Sequence, residues 1–92
     1  MTPVSVLMAA YNTPPPILRE CWDSMLAQTC PNWDMVLVDD GSTEPGTGDA
    51  LARIADDERV TLLRHPENRW LAAALNTGLP NCRPLVARLD AD

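Results

Sequence analysis

The chain has 92 residues, 46% of them hydrophobic, which is enough for one small core and for no more than one domain or part of one. Thirteen acids against seven bases leave a net charge of −6, which argues against the broad phosphate-backbone footprint of a nucleic-acid binder. All seven bases are arginines, so Schiff-base chemistry and the lysine of a phosphate loop are excluded as well.

Cys21, Cys30 and Cys82 are odd in number and lack C-x-x-C spacing, so neither a disulfide framework nor a zinc site is indicated. No apolar stretch approaches a membrane span, and the N-terminus lacks a basic start followed by an apolar run. The sequence reads as soluble and unprocessed, in a reducing cytoplasmic setting or at the cytoplasmic face of a membrane.

Residues 4–9 (V-S-V-L-M-A) form a short apolar run, the pattern of a buried parallel strand, ended by Tyr11, Asn12 and three prolines. Thr13 can cap and prolines 14–16 can open a helix, whose apolar positions Leu18, Cys21, Trp22, Met25 and Leu26 share one face. After Pro31 and Asn32, residues 33–38 (W-D-M-V-L-V) make a second strand that ends abruptly in Asp39, Asp40, Gly41 and Ser42. Gly46 and Gly48 bound a loop before a short helix marked by Ala50, Leu51, Ile54 and Ala55. Residues 60–63 give a third strand. Leu71, Ala74, Leu75 and Leu79 mark a third helix, and residues 85–89 give a fourth strand running into Asp90 and Asp92. Four strands alternating with three helices predict a parallel α/β sheet with right-handed crossovers.

In open α/β sheets ligands bind beyond the carboxyl ends of the strands. Tyr11 with Asn12, Asp39 with Asp40, and Asp90 with Asp92 all fall at such ends. Asp90 and Asp92 are two residues apart, so on an extended backbone both side chains point the same way, about 7 Å apart along the chain. Two hard oxygen ligands suit Mg²⁺ or Mn²⁺, and because such an ion completes its shell with substrate phosphates, a diphosphate is the natural bridging ligand. Asp39 and Asp40 are adjacent and face opposite ways, which leaves one of them to accept a hydrogen bond from a base N–H. Tyr11 offers a flat face on which a nucleobase such as uracil can stack.

Other features carry less. Trp22 and Trp33 read as packing residues. His65 reads as a solvent-facing loop histidine. The G-x-x-x-x-G-T string from Gly41 has threonine where a phosphate loop needs lysine, and no G-x-G-x-x-G follows the first strand, which disfavours an ATPase and a dinucleotide oxidoreductase.

The segments V-S-V-L-M-A-A-Y-N, V-L-V-D-D-G-S-T, E-N-R-W-L-A-A-A-L-N-T-G and L-D-A-D, with S-M-L-A-Q-T between the first two, resemble glycosyltransferase family 2 in residues and in order. The resemblance implies the A-type glycosyltransferase fold, a Rossmann-like α/β sandwich. Residues 1–92 would be its N-terminal, nucleotide-sugar-binding half, ending after a D-x-D motif. The implied activity is transfer of a sugar with inversion from a nucleoside diphosphate, UDP foremost, to a hydroxyl of a glycan, lipid or protein acceptor. Ala9, Ala10 and Tyr11 would then line the nucleobase and Asp40 would accept from it. Asp39 would shape that pocket or contact the ribose, and Arg69 would approach the base or phosphates. Asp90 and Asp92 resemble the D-x-D motif that contacts ribose, metal and diphosphate.

Trp70 departs from the family, which often has glycine after N-R. The family's catalytic base and acceptor site lie downstream of D-x-D, so the 92 residues alone are expected to bind donor without transferring sugar. An uncovered sheet edge at the fourth strand would favour self-association. The alternative from another class is a non-catalytic nucleotide-binding or protein-interaction module.

Overall fold

A computed structural model of the chain describes residues 4–27 and 32–90, Asp90 by its backbone. The elements follow in the order β1 (Val4–Ala10), α1 (Pro15–Leu26), β2 (Trp33–Asp39), α2 (Pro45–Ile54), β3 (Val60–Arg64), α3 (Trp70–Gly78), a 3₁₀ turn (Leu79–Asn81) and β4 (Val86–Asp90). Within the described residues the strands form one sheet, ordered β3-β2-β1-β4, and every pairing is parallel.

The two central strands are apolar at nearly every position because both faces of the sheet are covered. Val6, Met8 and Ala10 of β1 and Met35 and Leu37 of β2 pack against Leu18 and Met25 of α1 and Leu51 and Ile54 of α2. The alternate residues Leu7, Val36 and Val38 meet Ala74 of α3 on the other face. Side chains two apart share a face of a strand, so one run of sequence supplies both cores.

Gly78 lets α3 seat closely on the sheet. A Cβ there would stand 2.4 Å from Leu7 Cδ1 and 3.1 Å from Val38 Cγ2. At the edge of the first core Trp22 and Trp33 meet edge to face, 6.1 Å between centroids, and the Arg59 guanidinium lies 4.0 Å from the Trp33 ring centroid. Both tryptophans are thus packing residues, as their positions imply.

Three local expectations need correction. Gly46 and Gly48 do not bound a loop, because α2 begins at Pro45 and takes both glycines into its first turns; Pro45 lacks only an N–H that the first turn leaves unbonded. Thr13 gives α1 no side-chain cap; α1 begins at Pro15, and the Thr13 carbonyl instead accepts the Thr47 hydroxyl at 2.8 Å. Leu79 falls outside α3, in the 3₁₀ turn, and is 47% exposed. Among the described residues no helix is long and apolar enough to cross a membrane.

The first three strands step across the sheet in one direction, and the α3 connection then returns past them to place β4 on the far side of β1. Between β1 and β4 the strand order reverses, which opens the crevice where α/β sheets hold ligands. In register Ala10 lies beside Asp39, and Ala9 beside Asp90.

Candidate functional site

The site grows from the carboxyl ends of β1, β2 and β3. Beyond β1, the Ala10 carbonyl accepts the Asp40 N–H at 2.8 Å, and beyond β2 the Asp39 carbonyl accepts the His65 N–H at 2.9 Å. The ladder therefore runs one residue past the strands and fixes Asp40 and His65 on the same rim as Tyr11. Ala9 and Ala10 spend their backbones on this ladder. Tyr11, 46% exposed, stands where the crevice opens.

The loops are tied to one another. Asn12, held at a φ of 48°, accepts the Thr43 and Glu44 N–H groups on Oδ1 at 2.7 and 3.0 Å. Its Nδ2 donates to Thr43 Oγ1 at 3.2 Å, and its own N–H reaches Ser42 Oγ at 3.0 Å. Glu44 precedes α2 and makes no side-chain cap, so a residue from the first loop satisfies an N–H at the start of the second helix.

Asp39 and Asp40 do face different ways. Asp39 Oδ1 accepts the Ser42 N–H at 2.9 Å and Oδ2 lies 3.7 Å from the Arg64 guanidinium, so this carboxylate is engaged with its own turn and with β3. Asp40 Oδ1 accepts the Arg69 N–H at 2.9 Å and contacts His65 Nδ1 at 2.7 Å. Both acids are 4% exposed and each has donors around it, as a buried carboxylate requires. The Arg69 side chain is exposed while its backbone braces Asp40.

His65 is the residue that sequence reasoning misplaced. Its side chain is 8% exposed, not solvent-facing, with Nδ1 on Asp40 and Nε2 2.7 Å from Thr77 Oγ1 of α3. The signal was available: His65 follows β3 directly, as Tyr11 follows β1 and Asp40 follows β2. From sequence Asn12 falls at the end of the first strand without a role, whereas Thr77 is joined to the site only by three-dimensional placement.

Asp90 ends β4 beside Ala9, which puts it at the crevice, while Asp92 lies outside the described residues, as does Cys30. Among the described residues no group of three or more His, Cys, Asp or Glu is gathered for a metal. A hard divalent ion held by one or two carboxylates and a diphosphate does not require such a group. Burial pushes the Cys21 and Cys82 thiols up, with help from Glu20 and Asp34 respectively, which makes both poor nucleophiles. A hollow of about 330 Å³ lies between α1 and α2 and is lined by Pro15, Leu18, Trp22, Gly46, Ala50 and Ile54 among others, a seam of helix packing.

Residues 5–92 match the family described as Glycosyl transferase family 2. The chain is 39% identical over 90 residues to an uncharacterized glycosyltransferase of Haemophilus influenzae, covering 96% of this chain and 34% of that protein. It is 37% identical over 97 residues to the succinoglycan biosynthesis protein ExoW of Rhizobium meliloti, covering 100% of this chain and 30% of that one. The chain thus spans about a third of the length of these relatives. Among solved structures it resembles the mannosyltransferase PcManGT of Pyrobaculum calidifontis, in complex with GDP-Man and Mn²⁺, at 35% identity and a TM-score of 0.84 over 97% of this chain and 27% of that one. TarS 1-349 of S. aureus in complex with UDP-GlcNAc matches at a TM-score of 0.85 and 22% identity over 99% and 27%, a likeness of fold alone. The parallel sheet and its helices are those of the A-type glycosyltransferases. With the family matched across nearly every residue, the chain belongs to glycosyltransferase family 2.

Proposed function

We propose that this chain binds the nucleotide of a nucleoside diphosphate sugar at the carboxyl edge of its sheet, as the donor-binding part of a transferase that passes the sugar to an acceptor hydroxyl with inversion. The observation that carries this reading is Asp40, a buried carboxylate braced by Arg69 and His65 beside an exposed aromatic ring at the β1–β4 switch point.

Tyr11 stacks on the base, and Asp40 accepts a base N–H through Oδ2, since Oδ1 already holds two donors. Asp39 keeps the 40–44 turn in shape beside the ribose. The exposed Arg69 guanidinium approaches the phosphates. Asp90 and Asp92 would hold Mg²⁺ or Mn²⁺, which supplies charge neutralisation to the departing diphosphate when bound. The complex of PcManGT with GDP-Man and Mn²⁺ supports a sugar nucleotide as the ligand class.

Calorimetric titration with UDP and GDP in Mn²⁺ tests the reading. Binding that weakens on EDTA treatment and on Asp40→Ala or Asp92→Ala is expected. A folded chain that ignores both nucleotides would instead favour a protein-interaction module.

A further inference from the structure

We propose that His65 and Thr77 are positioning residues that turn Asp40 into a reader of base identity, an inference that rests on the nucleotide-binding reading above. Asp40 Oδ1 accepts the Arg69 backbone N–H, and an ionised carboxylate has no proton to give. The proton in the 2.7 Å contact with His65 therefore sits on Nδ1. In the neutral imidazole Nε2 is then an acceptor, and the Thr77 hydroxyl, 2.7 Å away, donates to it.

The chain Thr77–His65–Asp40 pins the imidazole at both ends. Thr77 is itself fixed, because its neighbour Gly78 sits directly on Leu7 and Val38 of the sheet. With Oδ1 held by two donors from different directions, the carboxylate cannot rotate about its last bond, and Oδ2 is fixed as a single acceptor. The His65 side chain is 8% exposed and Asp40 5%, so water competes little for either bond.

A fixed acceptor discriminates between bases. Uracil N3–H and guanine N1–H can donate to it, whereas cytosine and adenine present a ring-nitrogen lone pair at the equivalent edge. A site built around one hydrogen bond rejects analogues lacking the partner far more strongly than a pocket discriminates by shape. If Oδ1 lost His65, the carboxylate could swing, and the penalty against the wrong base would fall while stacking and phosphate contacts persisted.

The test is calorimetric titration of the 92-residue chain in Mn²⁺ with UDP, GDP and CDP. The wild type is expected to bind the better of UDP and GDP at least about 50-fold more tightly than CDP. His65→Ala should reduce that ratio to about threefold with CDP affinity nearly unchanged, Thr77→Val should lower it in the same sense, and His65→Asn, whose amide N–H can replace Nδ1–H, should restore part of it. A residue with a merely structural role would weaken all three nucleotides together and leave the ratio intact. An unchanged ratio in folded His65→Ala, or in Thr77→Val where the alanine variant does not fold, would overturn the proposal. Equal wild-type affinity for UDP, GDP and CDP would overturn it while leaving nucleotide binding standing, and no binding of any of them would overturn both.

Discussion

A Cβ on Gly41 would stand 2.2 Å from the carbonyl carbon of Glu67 and 2.4 Å from the Asn68 nitrogen. The loop after β2 thus presses directly on the backbone of the loop after β3, and at a φ of 73° Gly41 also lies in the left-handed region that only glycine enters freely. Two residues beyond Glu67 is Arg69, whose N–H braces Asp40. The glycine of the D-D-G-S-T segment therefore lets the β3–α3 loop approach closely enough for the Asp40 carboxylate to be held.

Gly41→Ala is accordingly expected to cost more than backbone strain alone. Left-handed strain accounts for about 1–2 kcal/mol, and displacement of the 67–68 backbone adds to it. Urea denaturation should show a loss of at least about 2 kcal/mol, with UDP affinity falling as Arg69 moves off Asp40. A variant of wild-type stability would mean that the two loops separate without penalty.

Trp70 presents the opposite case. Its φ of 71° places a bulky side chain where glycine belongs, and it is 75% exposed, so little burial offsets the strain. Trp70→Gly should stabilise the chain by about 1 kcal/mol, a rise in melting temperature of roughly 4–8 °C for a domain of this size. Scanning calorimetry decides it; an equal or lower melting temperature would show that the indole repays its strained backbone through contacts.

Asn12 stitches the first two loops, so Asn12→Ala should cost about 1–2 kcal/mol, from two backbone N–H groups losing their acceptor and from the positive φ. Asn12→Asp keeps the acceptor oxygen and loses only the donor to Thr43, so it should recover most of that stability. Equal losses in the two variants, measured by urea denaturation, would point to the backbone and not the Oδ1 contacts.

The strands, the amphipathic helices and the strand-end acids were legible because period-2 and period-3.6 patterns report local burial, and a β-α-β rhythm dictates parallel strands. Strand order was not legible: nothing in the sequence says that β4 lies beside β1 and not beyond β3. The role of His65 was hidden for a related reason. A histidine before a proline looks like any loop histidine until α3 brings Thr77 to its far nitrogen, and that placement depends on a crossover spanning the sheet. Helix α2 was misread at its start because glycines ordinarily signal loops, whereas here Asn12, more than thirty residues earlier, meets an N–H at the helix start that no local side chain caps.

At the other end of the strands, Asp34 gives the fold a dependence on acid. Burial alone would raise its carboxyl, but the Ser5 hydroxyl and the Arg83 guanidinium, the latter at 2.8 Å, outweigh burial and hold it below its ordinary value of 3.8. A carboxyl with a folded value below its unfolded one stabilises the native state above the unfolded value, and that contribution is lost as pH falls through the folded value. Arg83 also donates its N–H to Ser5 Oγ at 2.8 Å, so protonating Asp34 loosens the segment that leads into β4. Wild-type stability should therefore decline as pH drops below about 4, and Asp34→Asn, which cannot ionise, should be less stable at neutral pH and show a shallower decline. Asp57, held down to about 2 by Arg59, titrates in the same acid range and remains in both proteins, so the difference between them isolates Asp34. Identical acid slopes for the two in urea titrations from pH 2 to 7 would show that the Ser5–Asp34–Arg83 cluster carries no such linkage.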